Sequence, residues 1–180
     1  MKILIIGSEA AAHKAARYDV AKELQKLNDD LVIAPMFTTD IMYEHSINED
    51  SIYYMTAEEV ELSYKNGAFM WVMSEESHST GVTKADMYNN NIFTVSFHEF
   101  NNMSDAIFNE LNNDDMIIVF MDSSDVTMSD KSESSYSCER IFQSPYLYFL
   151  DEDNDIIVKT VLDYITSTSK HRQDIIDSLL

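Results

Sequence analysis

The sequence has 180 residues and one cysteine, and its 32 acidic and 12 basic residues give a net charge of −20. This length suits one domain with one core, and a single cysteine excludes an internal disulfide or a cysteine zinc cluster. The negative charge repels nucleic-acid backbones and acidic membrane surfaces, so we expect neither as a direct partner. No apolar run is long enough to span a bilayer, and we expect a cytoplasmic protein.

The predicted elements of the N-terminal half alternate between strands and helices. Apolar runs predict strands at residues 2–6, 31–34, 51–55 and 68–73. Helical spacing predicts a helix over 10–27, whereas residues 35–50 show neither pattern and are expected to be an irregular excursion. Thr56 and Glu59 form a capping box, which predicts a second helix that ends at Gly67.

The C-terminal half continues the same alternation. Strands are predicted at residues 92–97, 116–121 and 146–150. A short helix is expected over 104–111 with Ser104 as its cap, and an amphipathic helix from 155 to about 167, which the segment from His171 would either extend or follow as a frayed end. Residues 122–139 are rich in serine and acidic residues and are interpreted as a mobile loop. Alternating strands and helices predict an α/β fold with a mostly parallel sheet flanked by helices.

Four short motifs follow one another between residues 38 and 86. They are the pair Thr38-Thr39, the aromatic strand and capped helix at 51–60, the strand at 66–71 and the turn into a helix at 80–86. In this order, and with the later strands separated by a loop, they resemble the guanylate kinase-like branch of the P-loop nucleoside monophosphate kinases. The resemblance covers most of the chain, and the order and spacing of the motifs carry it.

The resemblance implies a three-layer α/β P-loop kinase-like fold with a small inserted guanylate kinase-type subdomain. One guanylate kinase-like domain would span residues 1–180. Its parts would be a core at 1–34 and 92–180, an inserted monophosphate-binding subdomain at about 35–87, and a shortened lid-like loop at about 122–144.

The phosphate-binding loop of this family has the form G-x-x-x-x-G-K-[ST], whose backbone N–H groups and lysine hold phosphates. Here Gly7 is kept, an alanine replaces the second glycine, and His13 stands at the lysine position with Lys14 one residue later. Glu9 adds a carboxylate where a polyanion would bind. We therefore interpret the loop as degenerate, with Gly7, His13 and Lys14 as its remaining candidate contacts.

The acceptor side of the resemblance is also altered. It implies substrate contacts from Thr38, Thr39, Tyr54, Trp71 and Thr83. Asp40 replaces a family arginine, and Trp71 stands where the family has a guanine-reading glutamate. The lid-like loop offers two cations, Lys131 and Arg140. Since phosphoryl transfer depends on neutralising developing charge, this loss of cations favours a pseudoenzyme.

Two further patterns, one of aromatic residues and one of histidines, give less information about function. The aromatic residues Tyr53, Tyr54, Phe69 and Trp71 could stack a base or simply pack the core. The histidines and neighbouring acids match no zinc spacing, so we expect no metal site.

Three hypotheses about function remain, and the first is the one that the sequence favours. The chain would be a non-catalytic guanylate kinase-like protein that binds a protein partner, one with a basic surface, through its cleft or acidic surface. Alternatively it would be a divergent (deoxy)nucleoside monophosphate kinase, and only then would ATP and Mg²⁺ be expected as cofactors. A third possibility is an acidic mimic of nucleic acid that inhibits a basic host protein. The Asn- and Met-rich composition with few Gly and Pro would suit a phage-encoded protein in the host cytoplasm.

Overall fold

The computed structural model describes residues 1–8, 11–41, 52–74, 77–103, 105–112, 116–124 and 145–179. Within these ranges the side chains of 11–13, 105–106, 110, 112 and 171–179 are not described. The strands are β1 (Lys2–Gly7), β2 (Met36–Thr38), β3 (Ile52–Tyr54), β4 (Phe69–Ser74), β5 (Ser79–Thr83), β6 (Ile92–Ser96), β7 (Met116–Asp122) and β8 (Tyr146–Leu150). The helices are α1 (Ala11–Leu27), α2 (Ala57–Lys65), α3 (Lys84–Asn89), α4 (Phe97–Asn102), α5 (Asp105–Asn112) and α6 (Asn154–Leu179).

The first sheet is parallel throughout and has the strand order β6-β1-β7-β8. Its central strands β1 and β7 are apolar runs buried on both faces, as expected for a parallel sheet covered by helices. Helices α1 and α6 pack on one face, while α4, α5 and part of the second sheet cover the other. The predicted α/β architecture with a parallel sheet flanked by helices is therefore confirmed.

The second sheet is mixed and has the order β3-β2-β5-β4. Strand β2 runs parallel to β3 and antiparallel to β5, which in turn pairs antiparallel with β4. A Cβ on Gly81 would lie 2.3 Å from the Trp71 carbonyl oxygen and 2.7 Å from Cε1 of Phe37, so only glycine fits there. Trp71 and Val82 continue into the core cluster that covers the first sheet.

Several local predictions need correction. The strand expected at 31–34 is reduced to one bridge between Ile33 and Ile92, and the next strand is β2, inside the range expected to be irregular. Phe97 does not end β6 but begins α4, which the sequence interpretation missed. Helix α6 continues to Leu179, so of the two alternatives for the segment from His171 the structure shows the extended helix.

The proposed division into core, inserted subdomain and lid-like loop stays a prediction. Ser104 and residues 125–144, which include most of the predicted loop, lie outside the described residues. Among the described helices, none combines the length and apolar character needed to cross a bilayer.

Candidate functional site

The carboxyl ends of β1, β7 and β8 meet at one edge of the parallel sheet and enclose a cavity of about 260 Å³, here called the carboxyl-edge cavity. Open α/β sheets commonly bind ligands at this edge. Its polar lining comes from Arg17, Asp122, Ser123, Asp151, Glu152 and Asn154. It therefore combines several carboxylates with one described cation.

Two residues of the N-terminal segment shape this cavity. A Cβ on Gly7 would lie 2.9 Å from the carbonyl oxygen of Met121, so the glycine permits the close approach of β1 and β7. Arg17, on α1, is buried, and its guanidinium donates a hydrogen bond to the carbonyl oxygen of Ser8. The guanidinium thus ties α1 to the exit of β1.

Asp122 and Asp151 of the cavity are held in place by donors from the turn that follows β7 and from Tyr148 of β8. Asp122 accepts hydrogen bonds from the Ser123 amide and the Tyr148 hydroxyl, each at 2.9 Å. Asp151 accepts from the Ser123 hydroxyl at 2.8 Å and from the Ser124 amide at 3.0 Å. Asp151 adopts a left-handed φ of 52°, which aspartate tolerates better than most residues. These bonds hold both carboxylates at the carboxyl edge of the parallel sheet, in the lining of the cavity.

The residues matched to the phosphate-binding loop lie mostly in α1. The helix begins at Ala11, so the backbone of His13 is helical, and the Lys14 side chain is exposed. The side chain of His13 and all of Glu9 lie outside the described residues. Gly7 lines the carboxyl-edge cavity, and the exposed Lys14 side chain does not.

A second cavity, of about 410 Å³, lies between α2 and the second sheet, and we call it the aromatic cavity. Its lining includes Tyr53, Tyr54, Met55, Glu59, Leu62 and Thr83. The Thr56 amide and hydroxyl hydrogen-bond to the Glu59 carboxylate and lower its pKa, which completes the predicted capping box. Two of the predicted substrate contacts, Tyr54 and Thr83, therefore share one cavity.

A hydrogen-bonded group stands at one wall of the aromatic cavity. The Asp86 carboxylate accepts from the Tyr53 hydroxyl at 3.1 Å and from the Thr83 hydroxyl. The Thr83 hydroxyl in turn caps α3 by accepting from the Asp86 amide at 3.1 Å. Burial raises the pKa of Tyr53 most, and the adjacent Asp86 carboxylate raises it further. The Tyr53 phenol therefore loses its proton at a higher pH than an ordinary tyrosine does.

Each hydroxyl of the predicted threonine pair accepts a backbone hydrogen bond. The Thr38 hydroxyl accepts from the Asp40 amide at 3.1 Å, and the Thr39 hydroxyl accepts from the Ser79 amide at 2.7 Å. Neither threonine lines the aromatic cavity. The Thr39 hydroxyl therefore joins the end of β2 to β5, whereas the Thr38 hydroxyl stabilises the turn that follows β2.

Trp71 lies apart from the aromatic cavity. It is 5% exposed and packs in the core, with its ring centroid 6.4 Å from that of Phe93. Its indole Nε1 is buried and makes no hydrogen bond to the described residues. Phe69 packs against Phe37 at 4.8 Å. Of the four aromatic residues considered from the sequence, the two tyrosines line the cavity.

The sequence interpretation missed the acidic lining and its buried cation. Asp122 and Asp151 each stand at or directly after the end of a predicted strand, and parallel strands bring such ends together. That signal could have found them, whereas Arg17 has no motif around it. The predicted lid cations Lys131 and Arg140 lie outside the described residues. Among the residues that the structure does describe, no group of three potential ligands could hold a metal.

Comparison with known proteins bears on the fold. No protein-family model matches the sequence, and no curated protein sequence does. The chain is similar to the crystal structure of guanylate kinase from Anaplasma phagocytophilum, with a TM-score of 0.59 and 14% identity over 93% of this chain and 85% of that chain. At this identity the likeness shows the fold alone. The fold is therefore guanylate kinase-like, as the motif order predicted.

Proposed function

We propose that this chain binds a protein partner and does not transfer phosphoryl groups. The observation that carries the proposal is the lining of the carboxyl-edge cavity, where Asp122, Asp151 and Glu152 stand together. On a kinase-like scaffold this edge is where a nucleotide would be expected, because ligands of α/β folds bind at the carboxyl ends of the strands. Carboxylates in this lining repel a polyanion such as the phosphates of a nucleotide, and this repulsion supports the proposal.

The size of the electrostatic effect supports this reading. One carboxylate 4 Å from a phosphate charge costs about 1 kcal/mol in water and about 4 kcal/mol near a protein surface. Loss of one transition-state arginine lowers the rate of phosphoryl transfer by about 10³ to 10⁵. Arg17, the one cation in the described lining, already donates to the Ser8 carbonyl. These residues fit a nucleoside triphosphate poorly.

The start of α1 supports the same proposal. The positions matched to the second glycine and the lysine of the phosphate loop, 12 and 13, are already helical. A phosphate loop instead needs an open backbone whose N–H groups turn toward the ligand. Strand β1 ends at Gly7 and α1 begins at Ala11. We therefore regard the loop as one that has lost its phosphate-binding form.

The charge of the chain suggests what the partner is like. A net charge of −20 attracts basic surfaces and speeds their association. Exposed Asp151, Glu152 and Asp153 add local negative charge beside the cavity. The partner in this proposal is a protein with Lys- or Arg-rich surface.

A coupled assay of ADP release tests the proposal. The chain is incubated with ATP, Mg²⁺ and each nucleoside or deoxynucleoside monophosphate in turn, and we expect no turnover above the background without enzyme. Turnover that disappears in Lys14→Ala but survives in Lys26→Ala would overturn the proposal. Lys26 is a suitable control because it is an exposed lysine at the other end of α1.

The aromatic cavity favours a second candidate, a divergent nucleoside monophosphate kinase. It brings Tyr54 and Thr83 together beside Asp86, which would suit a base and a sugar hydroxyl. Binding to the folded state must raise thermal stability, by about 2.7 kcal/mol at a ligand concentration 100 times Kd. A monophosphate that stabilises the chain, but not Tyr54→Leu, would support this candidate. Tyr64→Leu, on the exposed side of α2, is the control.

A further inference from the structure

Strand β8 presents a row of exposed apolar side chains at the edge of the first sheet. It is the last strand in the order of that sheet. Tyr146, Tyr148 and Leu150 are 41%, 47% and 49% exposed, whereas Leu147 and Phe149 pack against the core on the opposite face. Alternate strand residues point to one face, so the three exposed side chains form a stripe about 13 Å long. We call it the β8 stripe.

The central side chain of the β8 stripe is held by stacked aromatic rings and a hydrogen bond. The Tyr148 ring stacks on Phe120 with centroids 5.4 Å apart, and Phe120 stacks on Phe97 at 5.2 Å. The Tyr148 hydroxyl also donates to Asp122 at 2.9 Å. Docking on a surface already held in place costs less conformational entropy than docking on a loose one. The stripe is therefore suited to binding.

Charge indicates what would cover the stripe. The carboxyl end of β8 is followed by exposed Asp151, Glu152, Asp153 and Asp155, and the next cation along the chain is Lys159. A second copy of this chain would bring another charge of −20 against these acids. A segment that carries Lys or Arg beside apolar side chains would instead match both features.

We propose that the β8 stripe binds an extended, basic and apolar segment of a partner protein, an inference that rests on the proposed function. Apolar side chains of the segment contact Tyr146, Tyr148 and Leu150. Its Lys or Arg side chains lie beside Asp151 and Asp153. The apolar contacts supply affinity, and the acidic end sets the direction of the segment and speeds its capture.

Fluorescence anisotropy with a labelled probe peptide tests this assignment. The probe has about ten residues, alternating leucine and lysine, and the matched peptide carries glutamate in place of lysine. We expect the lysine peptide to bind and the glutamate peptide not to bind. Leu150→Ser should weaken binding about tenfold, because the contact of one large apolar side chain is lost. Leu27→Ser, at a 56% exposed leucine at the end of α1, should change binding less than twofold.

A charge variant gives an independent readout. Asp153→Lys should weaken binding of the lysine peptide several-fold at low salt and less at high salt, because exposed charges are screened. Asp29→Lys, at an exposed aspartate after α1, is its control. Circular dichroism checks that each variant is folded. Equal losses in the stripe variants and their controls would show only general attraction to an acidic protein and would overturn the assignment.

Other occupants have their own outcomes. A chain that sediments as a dimer and becomes monomeric in Leu150→Ser would place a second copy on the stripe and overturn the proposal. Peptide binding that appears only after removal of residues 125–144 would assign the stripe to the chain itself and would also overturn it. If the full chain shows no nucleotide turnover and Leu150→Ser binds peptide normally, this inference fails while the proposed function stands. Robust nucleotide turnover would instead reject the proposed function.

Discussion

The two sheets of this protein are stabilised in different ways. The parallel sheet consists of strands of five to seven residues, and helices and part of the second sheet bury the central strands β1 and β7 on both faces, whereas the edge strand β8 buries one face. In the second sheet, β2 and β3 are only three residues long. Side-chain contacts support it, including the bond from the Ser79 amide to the Thr39 hydroxyl and the packing of Phe37 on Gly81. Burial on both faces supports the central strands of the first sheet, whereas the second sheet combines the burial of Phe37, Trp71 and Val82 with a few specific contacts.

The same contrast extends to the two cavities. The carboxyl-edge cavity at the parallel sheet is lined by carboxylates, and the aromatic cavity at the second sheet is lined by tyrosines and hydroxyls. A phosphotransferase on this scaffold would need a phosphate-binding edge and an acceptor site together. In the second candidate function, the aromatic cavity would be the one that holds a small molecule. The proposed absence of phosphoryl transfer rests instead on the carboxylates at the parallel sheet.

Phe120→Ala should have the largest effect and tests whether burial supports the parallel sheet. Phe120 is fully buried and stacks on both Phe97 and Tyr148. Its removal leaves a cavity and should lower the free energy of unfolding by about 3–5 kcal/mol. Urea denaturation followed by tryptophan fluorescence measures the loss. Tyr64→Ala, at an exposed tyrosine, should change stability by at most about 0.5 kcal/mol. A loss for Phe120→Ala as small as this would break the comparison.

Gly81→Ala tests the specific contact on which the second sheet depends. The added methyl group would collide with the Trp71 carbonyl oxygen, and a backbone atom cannot easily move aside. We expect a loss of about 3 kcal/mol and a shifted Trp71 emission spectrum. At Gly67 nothing lies within 4 Å, so Gly67→Ala should cost about 1 kcal/mol, from its φ of +62° alone. Equal losses at the two glycines would contradict the close approach at Gly81.

Tyr53→Phe probes the hydrogen-bonded wall of the aromatic cavity through pH. Loss of the bond to Asp86 should cost about 1 kcal/mol at neutral pH. The folded-state pKa of Tyr53 lies above its ordinary value of 10.0, so the unfolded chain releases this proton first. Stability from this group is therefore complete below about pH 10 and declines as the pH rises further. Denaturation at increasing alkaline pH should show a shallower decline in Tyr53→Phe than in Tyr64→Phe.

The smallest effects should come from the ends of α2. Thr56→Ala removes the cap and should cost about 1 kcal/mol or less. The Thr56 donors lower the pKa of Glu59. The part of the cap that depends on the Glu59 carboxylate is therefore present above the unfolded pKa of Glu59 and lost as the pH falls. Lys65→Ala removes an exposed pair with Glu61 and should cost about 0.5 kcal/mol or less. Thermal unfolding at neutral and acidic pH measures both. A larger loss for Lys65→Ala would contradict this ranking.

Local patterns predicted the elements that depend on neighbouring residues. The runs that became β1, β7 and β8, the helix α1 and the capping box of Thr56 and Glu59 were all visible in the sequence. A second capping box, Ser96 with Glu99, is also present in the sequence. It was missed because Ser96 and Phe97 were assigned to the preceding apolar strand. The extent of α6 was left open by the sequence, and the structure continues the helix to Leu179.

Sequence by itself determined the α/β order of elements, the acidity of the chain and the apolar strands, because periodicity, capping and charge are properties of neighbouring residues. Only the tertiary structure decided that Arg17, Asp122 and Asp151 line one cavity. It also decided that Trp71 is buried in the core while Tyr54 and Thr83 face a cavity together. Parallel strands join residues distant in sequence, and which of their side chains meet depends on strand order and register. That information is not present in any local stretch of the chain.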